Sequence, residues 1–130
     1  MLTRRSLVLA FAALAALPLG PALAYDTQPY TPEALKVAQA SGKPLLVEIH
    51  APWCPTCKAQ DKVLDVLLKD PRYKDLQILR IDFDSQKADV AALGARSQST
   101  IIVYRGAEER GRMVGETSTE AIDGLLGRAL

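Results

Sequence analysis

Cys54 and Cys57 are the only cysteines in the 130-residue chain, and they stand at Cys-x-x-Cys spacing in Trp53-Cys54-Pro55-Thr56-Cys57-Lys58. Two thiols so placed can form and break a disulfide. The apolar run Leu45-Leu46-Val47-Glu48-Ile49-His50 precedes them and reads as a buried strand, while the residues from Pro55 onward carry helical periodicity. The pair therefore falls where a strand gives way to a helix. Unpaired backbone N–H groups and the helix dipole favour an anion there, so Cys54 is the expected nucleophilic thiolate.

An exported domain that used cysteines for stability would carry several spaced pairs, whereas this chain spends both on one short loop. Closing so short a loop restricts little of the unfolded chain, so reversible redox use explains the pair better than a structural staple. Export itself is expected from residues 1–24. Arg4 and Arg5 precede an apolar stretch from Leu7 to Leu19, with Pro18, Gly20 and Pro21 at its end and Ala22-Leu23-Ala24 after it. This is the plan of a signal peptide cleaved after Ala24, and Thr3-Arg4-Arg5-Ser6-Leu7 resembles a twin-arginine motif. The apolar core is short of the roughly 20 residues that a membrane-crossing helix needs. Removing residues 1–24 takes away two of the 16 Lys and Arg and none of the 15 Asp and Glu, which leaves a formal charge of −1. A near-neutral surface offers no electrostatic basis for binding nucleic acid. Residues 25–130 suit one compact domain, expected to be monomeric, in a bacterial periplasm or an equivalent exported compartment.

The element order follows from caps and periodicity. Thr31-Pro32-Glu33 opens a short helix that ends near Ser41-Gly42, and Lys43-Pro44 leads into the strand Leu45 to His50. The helix from Pro55 presents Ala59, Val63, Val66 and Leu67 and stops at Asp70-Pro71. A strand is expected from Leu76 to Phe83. Asp84 or Ser85 is the expected cap of a helix that Gly94 ends, before a β-branched strand from Thr100 to Tyr104. Arg110 to Val114 reads as a return strand, and Ser118-Thr119-Glu120 opens a terminal helix. Alternating strands and helices indicate an α/β layer fold.

The stretch Val47 to Lys58 resembles the active-site strand and loop of the thioredoxin superfamily. Gly94 to Tyr104 is similar to the segment before and along that family's next strand, and Val114-Gly115 matches the glycine before its last helix. The resemblance implies a single thioredoxin-like α/β domain, a central mixed sheet with helices on both faces. It implies that Cys54 is the exposed attacking thiol and Cys57 the buried resolving thiol of a protein-disulfide oxidoreductase acting on protein or small-molecule disulfides. An exported pair of this kind works with a membrane thiol reductase or oxidase, and no cofactor is implied.

The resemblance further implies that Glu48 is a buried acid that accepts the Cys57 proton, directly or through a water. Against this stands a carboxylate that pairs with a lysine. Trp53, Ser99 and Thr100 are implied to contact substrate, and Trp53 to pack beside the nucleophile. Lys58 reads as a solvated helix residue. Two residues depart from the family pattern. His50 replaces an aromatic residue and is either a partner of the thiolate or a solvated strand end. Ser99 replaces a proline whose preceding peptide bond is cis and which faces both sulfurs. A cis bond without proline costs about 2.5–4 kcal/mol, so a trans Gln98–Ser99 bond is expected. Loss of the ring is expected to uncover the sulfurs, which leaves thiolate binding of Cu(I) as an alternative function. Zinc needs four ligands, and Cys54, Cys57 and His50 offer at most three.

Overall fold

The computed structural model describes residues 25–130, so the expected signal peptide lies outside the described residues. Chain order is β1 (Gln28–Pro29), α1 (Pro32–Ala40), β2 (Pro44–His50), α2 (Pro55–Leu67), a 3-10 turn (Pro71–Tyr73), β3 (Gln77–Asp82), α3 (Lys87–Ala92), β4 (Thr100–Arg105), β5 (Glu108–Val114) and α4 (Thr119–Gly127). The strands form one mixed sheet in the order β1-β3-β2-β4-β5. β2 runs parallel to β3 and antiparallel to β4.

β2 takes the middle of the sheet because its residues through Ile49 are buried on both faces. Leu45, Val47 and Ile49 pack with Ala38 of α1 and Val90 of α3. Leu46 packs on the other face with Leu64 of α2 and with Ile122, Leu125 and Leu126 of α4. Helices thus cover both faces. The alternation of strand side chains also puts Glu48 and His50 on the α2 side, which is the side of the cysteine helix.

The expected caps form at both ends of the domain. Thr31 accepts from the Ala34 N–H at 2.9 Å, and Ser118 accepts from the Ala121 N–H at 3.3 Å. The cap expected for α3 does not. Gln86 occupies that position with no side-chain cap bond, because Ser85 is turned back to Asp82 and Asp84 receives the indole of Trp53. Two strand ends also differ from expectation. β1 is too short to leave a periodic pattern, and β5 begins at Glu108 in a fully charged stretch that only pairing with β4 makes a strand.

α4 lies close to β5 at Gly111, where an added Cβ would stand 2.8 Å from Leu125 Cδ1 and 3.0 Å from Arg128 Nη1. Gly111→Ala is expected to overpack this contact and cost about 1–3 kcal/mol, read as a lowered midpoint of thermal unfolding. An unchanged midpoint would show that α4 moves aside without loss.

Candidate active site

The backbone of Ala51 to Cys54 leaves β2 as a turn closed by the Cys54 N–H to Ala51 C=O bond of 3.1 Å, and α2 begins at once. Cys54 is the N-cap of α2, and its sulfur accepts the Cys57 N–H at 3.1 Å. A thiol here does the work that a serine or aspartate oxygen does at other caps. Pro55, at the first helical position, loses no hydrogen bond by lacking an N–H. Both cysteines are free thiols. Ala51 and Phe83 close over them, and each is only 2% exposed. The expectation of an exposed Cys54 is therefore corrected: nucleophile and resolving thiol are equally covered.

Ser99 supplies much of that cover. Its Oγ lies 3.0 Å from Cys54 Sγ and 3.2 Å from Cys57 Sγ, and the residue is 4% exposed. No peptide bond among the described residues is cis, in line with the penalty at a serine. The replacement of proline does not uncover the sulfurs as expected, because the hydroxyl occupies the space facing them. Gln60 of α2 holds this segment through its Nε2, which donates to Ser99 C=O at 3.1 Å and Glu116 C=O at 2.9 Å.

Burial opposes charge on Cys54, yet hydrogen bonds from Cys57, from Ser99 and from the Cys57 and Thr56 backbone outweigh it and hold the thiol below its ordinary range. Cys57 moves the other way. Burial pushes its thiol up, and the bond with Cys54 adds to the rise. One sulfur is thus prepared to carry charge and the other to keep its proton.

Glu48 is buried as expected but differently committed. Oε1 accepts the Tyr25 hydroxyl at 2.9 Å and Oε2 accepts Arg80 Nε at 2.8 Å. Arg80 Nη2 also reaches Asp61 at 2.8 Å, and His50 Nε2 lies 3.1 Å from the other Asp61 oxygen. Each Glu48 oxygen already accepts a bond from another group, so the acid expected to take the Cys57 proton is one held by Arg80 and Tyr25. The pairing with lysine is corrected too, in favour of arginine. Burial pushes the Glu48 carboxyl up against the pull of Arg80 and Tyr25. Burial acts likewise on Asp61, but His50, Arg80 and Tyr25 together bring its carboxyl below the usual range. His50 is neither a thiolate partner nor a solvated strand end: it is a largely buried member of this network.

The remaining expected site residues are dispersed. Trp53 is 55% exposed, and its Nε1 donates to Asp84 at 2.7 Å, which ties the active-site loop to the turn after β3. Thr100 is buried with its hydroxyl donated to Ser97 C=O at 2.7 Å, so it shapes the turn into β4 and offers no free group to a substrate. Lys58 is exposed on α2. Sequence reasoning missed Tyr25, Arg80, Asp61 and Gln60. Arg80 had a readable signal, because it is the one cation inside the expected strand Leu76 to Phe83 and pairs in register with Glu48.

A family model described as thioredoxin-like matches residues 26–106. The chain belongs to the thioredoxin-like family. Over 90 residues it is 31% identical to the chloroplastic thioredoxin M4 of Arabidopsis thaliana, a match covering 69% of this chain and 46% of that protein. It is 30% identical over 95 residues to the chloroplastic M-type thioredoxin of Zea mays, covering 70% and 56%. The chain thus spans about half the length of these two relatives. The crystal structure of Trxlp from Edwardsiella tarda is 42% identical and superposes with a TM-score of 0.74, covering 78% of this chain and 98% of that one. A thioredoxin from Halobacterium salinarum, at 22% identity and a TM-score of 0.67, shares the fold.

Removing Arg80 leaves Glu48 buried without its cation, so Arg80→Met is expected to cost about 3–5 kcal/mol in denaturant unfolding. Adding Glu48→Leu to the same chain should return much of that loss. A single variant as stable as the parent would show that the acid needs no partner.

Proposed function

We propose that this chain is an exported thiol–disulfide oxidoreductase that exchanges the Cys54–Cys57 pair with protein or small-molecule disulfides. The observation that carries this reading is the Cys54 sulfur. It caps α2, accepts the Cys57 N–H, lies 3.0 Å from the Ser99 hydroxyl and stands beside a second thiol that burial favours as protonated. The thiolate attacks one sulfur of a substrate disulfide and forms a mixed disulfide, expelling the other half. Cys57 then attacks Cys54 and releases the rest of the substrate.

Two soft thiolates are also the donor set for Cu(I), but that reading rested on sulfurs laid bare by the loss of proline, and Ser99 covers them. Exchange with disulfides is the better supported function. Covered sulfurs also require the Trp53 loop or the Ser99 turn to give way when a substrate binds.

Residues 1–24 support export by their basic start, short apolar core and Ala22-Leu23-Ala24 ending. The boundary gains support from Tyr25, which already packs in the core and holds Glu48 and Asp61 with its hydroxyl. A monomer recycled by a membrane thiol reductase or oxidase completes the proposal. Mass spectrometry of protein from the cell envelope should find Tyr25 as the first residue. Soluble cytoplasmic protein beginning at Met1, with no exported form, would defeat the localisation.

Exchange is tested by trapping. Cys57→Ser is expected to accumulate mixed disulfides through Cys54 that a reductant releases, while Cys54→Ser accumulates none. Equal trapping by both variants would reverse the assignment of the two thiols.

A further inference from the structure

Ser99 enters β4 with φ at 60°, the only positive φ of a non-glycine residue among those described. A serine is strained there, and such a conformation persists only where its surroundings impose it. They do so on each side of the residue. The Ser99 N–H donates to Ile49 C=O at 2.8 Å, and its C=O accepts both the Gly115 N–H at 2.9 Å and Gln60 Nε2. Fixing the backbone in this way aims Oγ between the two sulfurs.

A hydroxyl has one proton to donate and can accept at the same time. Placed 3.0 and 3.2 Å from two sulfurs, it can donate to one of them and accept an S–H from the other. Bulk water cannot replace it, because each cysteine is only 2% exposed. Hydrogen bonds to an ionised partner are about twice as strong as neutral ones, so the hydroxyl turns to whichever sulfur is the anion. We propose that the Ser99 hydroxyl is a catalytic hydrogen-bond donor that serves the two sulfurs in turn, Cys54 in the dithiol and Cys57 in the mixed disulfide. The proposal rests on the exchange reaction above and assigns it a third catalytic group.

In the reduced protein, Oγ–H donates to the Cys54 thiolate, and Cys57 keeps its proton beside both groups. Attack on a disulfide RS–SR breaks that bond, forms Cys54–S–SR and expels one RS⁻. The Cys54 sulfur is then neutral, and the Cys57 proton passes to the expelled RS⁻ to give RSH. The hydroxyl turns to the new thiolate on Cys57 and stabilises it where it forms, as preorganised donors do for other developing anions. Cys57 attacks Cys54, the protein disulfide forms and a second RS⁻ leaves. One disulfide has been reduced and one formed, with a single proton and a single charge conserved throughout.

Ser99→Ala and Ser99→Gly both remove the hydroxyl, and only the glycine also relieves the strain at φ 60°. The two variants therefore separate hydrogen bonding from backbone effects. The pH midpoint for alkylation of Cys54 should move up in both, towards that of an ordinary thiol. Single-turnover decay of the mixed disulfide should slow in both by roughly threefold to tenfold. This is about half, on a logarithmic scale, of what losing a charge-assisted bond does to ionisation, because a more basic thiolate is also a better nucleophile. An unchanged midpoint, slowed attack with normal resolution, or a glycine variant that behaves as the parent while alanine is impaired would each overturn the proposal. Absence of exchange in the parent protein would overturn the functional reading and the Cys57 step with it. The alkylation midpoint would still decide the bond to Cys54.

Discussion

A sulfur that must carry negative charge while nearly sealed from water is the constraint on which the rest of the site depends. Cys54 is 2% exposed, so the donors that stabilise its thiolate have to come from the protein. The start of α2 provides one through the Cys57 N–H, and the Ser99 hydroxyl, just before β4, is placed to provide another. These two donors lie on elements far apart in sequence. Gln60 spans them, reaching from α2 to the carbonyls of Ser99 and Glu116. The strained serine, the glutamine on an otherwise apolar helix face and Gly115 at φ 71° all serve the same placement.

β2 carries a second buried electrostatic system on the same side of the sheet. Glu48, Arg80, Asp61, Tyr25 and His50 form a closed network on the α2 side of the sheet. A lone carboxylate so close in sequence to the cysteines would oppose a thiolate by like-charge repulsion and would itself be costly to bury. Pairing it with Arg80 offsets both difficulties and fixes the carboxyl on the side of the sheet that carries the cysteine helix.

Local signals made much of this legible in the sequence. Cys54-Pro55 announced the start of α2, Thr31-Pro32 that of α1 and Ser118 that of α4, because a cap bond closes within three residues and leaves its mark in adjacent positions. The sheet was legible through the apolar runs of β2 and β4. What could not be read were choices between competing partners. Asp84 and Ser85 are both good caps, but Trp53 and Asp82 claim them first. Glu48 was recognisable as a buried acid, yet its partner Arg80 is set by register between β2 and β3. Ser99 was noticed as a departure from proline. That its hydroxyl covers the sulfurs depends on a backbone conformation that contacts with Ile49, Gln60 and Gly115 impose.

A stabilised thiolate at Cys54 beside a thiol pushed up at Cys57 means that one sulfur of the pair ionises well before the other. The pH dependence of the reduction potential of the Cys54–Cys57 couple tests it most directly. A two-electron couple that takes up two protons falls by about 60 mV per pH unit, and one that takes up a single proton by about 30 mV. The expected result is a change from the steeper to the shallower slope at a pH below the ordinary thiol pKa of about 8.5, with the shallow slope persisting above it. A steep slope that continues up to or beyond that value would show both thiols holding their protons, and would contradict the stabilised thiolate at Cys54.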